Sequence, residues 1–120
     1  MKTVLEHRIE EGTIIIEISG KLQYNQSESV KGKLIDFIQE GKFNYIFDLS
    51  NLENIDSTGM GLFITFMNHI ENKESKIYLV IKDEFIKELF EIAKLDQLFV
   101  IDTSVENVMG KLVKKENGNI

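Results

Sequence analysis

The chain has 120 residues, 42% hydrophobic and 28% charged, with no cysteine and a formal charge of −6. That length and composition fit one globular domain with its own core, and exclude a disulfide framework, thiol chemistry and cysteine-ligated metal. The acidic balance argues against nucleic acid as a partner, and with neither a membrane-length apolar run nor a signal-peptide segment, a cytoplasmic protein with no membrane partner is expected.

In chain order, Val4 to Ile9 and Thr13 to Ser19 flank Glu10-Glu11-Gly12 and predict a hairpin, with Gly12 supplying the turn. Asn25-x-x-Glu28 reads as a capping box with Asn25 in the cap position. It opens a helix whose apolar face is Val30, Leu34, Phe37 and Ile38, closed by Gly41. Residues 43–49, containing Tyr45-Ile46-Phe47-Asp48-Leu49, read as a buried strand. Residues 57–71 read as a helix with Leu62, Phe63, Phe66, Met67 and Ile70 at helical spacing, and Ile77 to Ile81 as the next strand. Together they predict a βαβ unit with parallel outer strands. Asp83 caps a helix carrying Phe85, Ile86, Leu89 and Phe90. Phe99 to Ile101 is a short strand. Thr103-x-x-Glu106 is a second capping box, ahead of Val105, Val108, Met109, Leu112 and Val113. Lys111, Lys114 and Lys115 read as the wet face of that last helix. The sum is an α/β domain: a small mixed β-sheet with an N-terminal hairpin and about four helices, each with one apolar stripe to pack on it.

The most informative segment is Asp56-Ser57-Thr58-Gly59-Met60-Gly61, at the start of the helix at 57–71. There the first backbone N–H groups lack helical partners and the dipole is positive outward. Such a place can cap the helix with a hydroxyl, bind an anion or carry a phosphate. Gly59 and Gly61 each weaken the helix by about 1 kcal/mol relative to Ala. A cap does not need that cost, so bare backbone for the approach of another surface is expected.

Catalytic chemistry finds little support. His7 and His69 fall on a strand and a helix far apart in sequence and read as surface or boundary residues. Asp48 and Asp56 have no third acidic partner at a metal-ligand spacing, so structural roles are expected and no metal. Gly59-Met60-Gly61 lacks the third glycine of a dinucleotide loop, and no P-loop is present. Nothing in sequence supplies a base for Ser57 as a nucleophile. No cofactor and no enzymatic activity are expected.

The run Asp48-Leu49-Ser50-x-Leu52-x-x-Ile55-Asp56-Ser57-Thr58-Gly59-Met60-Gly61-Leu62 resembles the signature of the STAS domain, in particular of the anti-sigma factor antagonists. Ile18-Ser19-Gly20-Lys21-Leu22 is similar to that family's second strand and following turn. Phe85-x-x-x-Leu89-Phe90-x-x-Ala93-x-Leu95 is similar to its third helix. The resemblance implies one STAS-like domain over 1–115, with 116–120 a fraying tail. It also implies that Ser57 is phosphorylated by a serine kinase that is itself the anti-sigma factor, with a phosphoserine phosphatase as second partner. Thr58 matches the neighbouring hydroxyl. The partner surface is then expected at Gln23, Tyr24 and Asn25 together with Asp56, Thr58, Gly59, Met60 and Gly61. Met60, off the apolar stripe, is expected to be an exposed anchor. Two departures stand out. Gln23 replaces an acid that the family often has after the glycine turn, and Ala93-Lys94-Leu95 replaces a small-Gly-Leu form.

Three functions follow. The first is a phosphorylation-switched binding module, monomeric or weakly dimeric, that captures the kinase when unphosphorylated. The second is a non-enzymatic scaffold subunit of a larger stress-sensing STAS assembly. The third is a small enzyme or nucleotide-binding domain using the glycine segment.

Overall fold

Ile14-Ile15-Ile16 and Tyr45-Ile46-Phe47, the two densest apolar runs, lie side by side in the middle of the sheet, fully or almost fully buried. The computed structural model describes residues 3–117. In chain order the elements are β1 (Val4–Glu10), β2 (Thr13–Leu22), α1 (Tyr24–Asp36), β3 (Asn44–Asp48), β4 (Leu52–Ile55), α2 (Ser57–His69), β5 (Ile77–Val80), α3 (Glu84–Ile92), a 3-10 turn (Leu95–Gln97), β6 (Val100–Asp102) and α4 (Val105–Asn117). The sheet runs β1-β2-β3-β5-β6. Its hairpin is antiparallel and its other pairings are parallel. The hairpin turn needs positive φ at two successive residues, and Glu11 and Gly12 supply it at 45° and 73°.

Interior parallel strands are covered on both faces, so their side chains alternate between two cores. Ile14, Ile16 and Ile18 of β2, Tyr45 and Phe47 of β3 and Leu79 of β5 build the larger one. Against them pack Val30 and Leu34 of α1, Leu62, Phe63 and Phe66 of α2, and Ile86 and Phe90 of α3. Phe47 meets Phe63 and Phe66 edge-on at 5.0 and 4.9 Å, an arrangement favoured by the ring quadrupoles. Ile15, Ile46, Tyr78 and Val80 face the other way and are covered by Val108 and Leu112 of α4.

Several boundaries differ from expectation. β4 reads as a loop in sequence because Leu52-Glu53-Asn54-Ile55 has no period-two pattern. It is a strand because it pairs parallel with the second half of β2, after a register shift at Gly20/Lys21. α1 begins at Tyr24 behind Gln23, whose N–H donates to the Gln26 side chain, so Asn25 is inside the helix rather than its cap. α1 ends at Asp36, and Gly41 lies in the following loop. The last helix is capped by Ser104, whose Oγ accepts from Asn107 N–H at 3.0 Å, one residue later than the box at Thr103. That helix continues to Asn117, past the 115 boundary, while 118–120 of the expected tail lie outside the described residues. Asp83 caps α3 as expected, accepting from Ile86 N–H at 3.0 Å.

Candidate functional site

The long strand β2 places the site. Its first half pairs with β3 and its second half with β4, so Leu22 and Ile55 end two neighbouring parallel strands. From those ends the chain turns into α1 and α2, and the two helix N-termini emerge next to each other. Asp56 N–H closes the junction by donating to Leu22 O at 3.3 Å.

Asp56 is the cap of α2. Its backbone is extended, and its Oδ1 accepts from Gly59 N–H at 2.8 Å. Its Oδ2 accepts from Tyr24 N–H, at the start of α1, at 3.0 Å. One carboxylate therefore holds the first turns of both helices. Because Asp56 fills the cap, Ser57 does not need to. Ser57 is the first residue of α2 and is exposed, and its hydroxyl has no hydrogen-bond partner among the described residues. Thr58 is exposed beside it. The positive end of the helix dipole lies at this first turn, with the Asp56 carboxylate set against it.

Gly59 corrects an expectation. It is buried, and a Cβ there would lie 2.1 Å from Leu22 O and 3.0 Å from Ile55 Cγ1. Its bare backbone admits the carbonyl of β2 from within, not another molecule from outside. Met60 is corrected with it. The close approach of α2 to β2 turns Met60 partly inward, where it packs half-buried against the larger core. Gly61 has open space where a Cβ would stand. Gln23 is half-buried, and Tyr24 and Asn25 are exposed. Residues 23–25 and 56–58 thus form one continuous face. The contribution of Leu22 was missed in sequence; the one trace of it was a glycine at a helical position where alanine would be favoured.

The remaining polar residues are accounted for elsewhere. Asp48 ends β3 and accepts from Ser50 N–H at 3.1 Å and from the Ser50 hydroxyl. His7 on β1 stacks on Phe37 with centroids 4.3 Å apart. His69 ends α2, its Nδ1 2.9 Å from Thr65 O. Asp102 is largely buried and bonds Lys111 Nζ at 2.7 Å, Thr103 N–H at 2.7 Å and Asn107. The Lys111 ammonium, with the Thr103 and Asn107 donors, outweighs burial and holds its carboxyl below the usual carboxylate range. Among the described residues no three His, Asp or Glu side chains gather as metal ligands, and no helix is long and apolar enough to cross a membrane.

A mixed sheet with a serine bared at the N-terminus of its second helix defines the class: the chain belongs to the STAS domain family, which matches residues 5–108. Within it, the chain is similar to several anti-sigma factor antagonists. The anti-sigma-B factor antagonist of Staphylococcus epidermidis is 26% identical over 91 residues, 76% of this chain and 84% of that one. An anti-sigma factor antagonist from Mycobacterium paratuberculosis superposes with a TM-score of 0.84 at 14% identity, covering 92% of this chain and 93% of that one. The Bacillus cell fate determinant SpoIIAA in its phosphorylated form gives 0.66 at 20%, covering 92% and 99%. At those identities the two structures speak for the fold alone. The antagonists are regulators, not enzymes.

Proposed function

We propose that this chain is an anti-sigma factor antagonist switched by phosphorylation of Ser57, a binding module and not a catalyst. Unphosphorylated, it captures an anti-sigma factor serine kinase through the face formed by residues 23–25 and 56–58 and so frees a sigma factor. The kinase transfers the γ-phosphoryl group of ATP to Ser57 Oγ. The new Oγ–P bond forms as the bond to ADP breaks, and the hydroxyl proton leaves to a kinase base. Phosphoserine 57 then releases the kinase, and a phosphoserine phosphatase resets the module by hydrolysis.

One observation carries this reading: Ser57 stands exposed, with its hydroxyl unpartnered among the described residues, at a helix N-terminus whose cap Asp56 has taken. A phosphate brings about −1.5 to −2 charges and three acceptor oxygens, which a helix N-terminus tolerates without unfolding. In a contact surface the same group opposes docking, and a loss of about 3 kcal/mol weakens binding roughly a hundredfold. Support comes also from the relatives' names and from a neighbour of the same fold in a phosphorylated form. Incubation with the cognate kinase and ATP, followed by phosphopeptide mapping, tests the assignment. Phosphate on Ser57 is expected; phosphate on Thr58 with Ser57 bare overturns it. The scaffold reading draws on Phe85 and Ile92, which α3 leaves 65% and 72% exposed. A large particle rather than a monomer in dilute solution would favour it.

A further inference from the structure

A helix cap needs one oxygen, yet Asp56 uses two. Its Oδ1 caps α2 at Gly59, and its Oδ2 reaches a residue 32 positions away, the backbone N–H of Tyr24. Tyr24 opens α1 and is 73% exposed, an aromatic residue held in water at the end of a tether. Tyrosine is among the residue types that most often anchor interfaces, since it brings large area and a polar tip at little cost in rotamer freedom. Behind it α1 is tied down by its own contacts: the Ser27 hydroxyl donates to Tyr24 O at 2.8 Å, and Gln26 holds Gln23 N–H. Among the described residues, the Asp56 oxygen is the side-chain hydrogen bond that joins this first turn to α2.

Resting on the phosphorylation of Ser57 proposed above, we infer that Asp56 is a positioning residue through which phosphate on Ser57 is read out at Tyr24. Ser57 follows Asp56 directly, so its phosphate and the carboxylate compete for the same few N–H groups at the start of α2. The phosphate carries more charge and three oxygens, and is the stronger acceptor. Two anions on adjacent residues also repel. The carboxylate swings away, Tyr24 N–H loses its acceptor, and the first turn of α1 loosens. The modification then acts twice on the partner: it puts charge in the contact face and withdraws an ordered aromatic group from it.

Amide hydrogen exchange by NMR, without any kinase, tests this in four forms of the chain and in a fifth that combines Asp56→Asn with phosphoserine 57. The four are wild type, Asp56→Asn, Asp56→Ala, and protein carrying genetically encoded phosphoserine at 57. Asparagine keeps one oxygen for the cap but offers an NH2 in place of the second acceptor. Asp56→Ala removes both arms and sets the exchange rate of an untethered Tyr24 amide. In Asp56→Ala and in the phosphoserine form, Tyr24 should exchange at least tenfold faster than in wild type. Asp56→Asn should release Tyr24 while Gly59 stays protected, and phosphoserine 57 added to Asp56→Asn should change Tyr24 no further. Wild-type protection of Tyr24 in Asp56→Ala would show that Asp56 is not the tether. Protection persisting in the phosphoserine form, or release that survives in the Asp56→Asn background as an added effect, would show that phosphate does not act through Asp56. Either result leaves the kinase reading standing. A kinase that modifies Thr58 instead overturns that reading and leaves the Asp56 exchange results intact.

Discussion

Gly59→Ala adds one methyl group where α2 meets the sheet. The new Cβ would stand 2.1 Å from Leu22 O and 3.0 Å from both Leu22 C and Ile55 Cγ1. Two of those three atoms are backbone of β2, which cannot rotate aside. Ordinary contact therefore requires the first turn of α2 to retreat by roughly 1 Å, since real contacts of this kind begin near 3.4 Å. That retreat stretches the Asp56 N–H to Leu22 O bond, already 3.3 Å, and the Asp56 to Tyr24 bond beside it. Overpacking costs about 1–3 kcal/mol and each weakened hydrogen bond about 1 kcal/mol, against a gain of about 1 kcal/mol for alanine over glycine in a helix. The balance is a loss of about 2–4 kcal/mol, or a fall in Tm of very roughly 8–16 °C for a domain of this size. Gly61→Ala is the control, because its Cβ meets nothing within 4 Å. It should raise stability by up to about 1 kcal/mol. Thermal unfolding of the two variants beside wild type decides the matter. Equal stability of Gly59→Ala and Gly61→Ala would refute the internal-contact account of Gly59.

Ser57→Ala should change stability by less than about 0.5 kcal/mol, because the cap belongs to Asp56 and the serine side chain is exposed; a loss above about 2 kcal/mol in urea unfolding would make Ser57 structural. Lys94→Gly should stabilise by about 1 kcal/mol, since Lys94 holds a left-handed φ of 61° after α3, where glycine pays no steric penalty; an unchanged or lower Tm would contradict it. Lys111→Met should destabilise by about 1 kcal/mol near neutral pH, discounted for the exposure of the lysine. The carboxyl of Asp102 is held below its usual range, so its contribution is present above about pH 4 and is lost as pH falls through the lowered folded value. The Tm gap between wild type and Lys111→Met should therefore be open at pH 6–7 and close in acid; a gap independent of pH would assign the effect to packing.

Features set by neighbours in sequence were legible, and features set across the chain were not. The isoleucine run of β2, the Tyr45–Phe47 strand and the Asp83 cap announce themselves through apolar density and local hydrogen-bond chemistry. β4 does not, because Leu52-Glu53-Asn54-Ile55 becomes a strand through its pairing with Gly20–Leu22. The start of α1 was misplaced at Asn25, a better cap residue than Gln23, because the first N–H is secured by Asp56 from 32 residues away. The same remoteness hid the purpose of Gly59. Its cost to the helix was visible, but the atom it makes room for, Leu22 O, lies on another strand, and bare backbone read from sequence alone suggests an external partner. The serine was legible from its family pattern. What sequence left open was whether Ser57 or Asp56 caps α2, and the contact to Gly59 N–H assigns the cap to Asp56.

The central claim is that the charge state of Ser57 governs capture of a kinase. Titration calorimetry of the purified cognate anti-sigma factor kinase, with ADP present to prevent turnover, into this chain with serine or encoded phosphoserine at 57 tests it most directly. The account predicts a one-to-one complex with the serine form and affinity at least about a hundredfold weaker with the phosphoserine form, a difference of about 3 kcal/mol. Equal affinity for the two forms would contradict it.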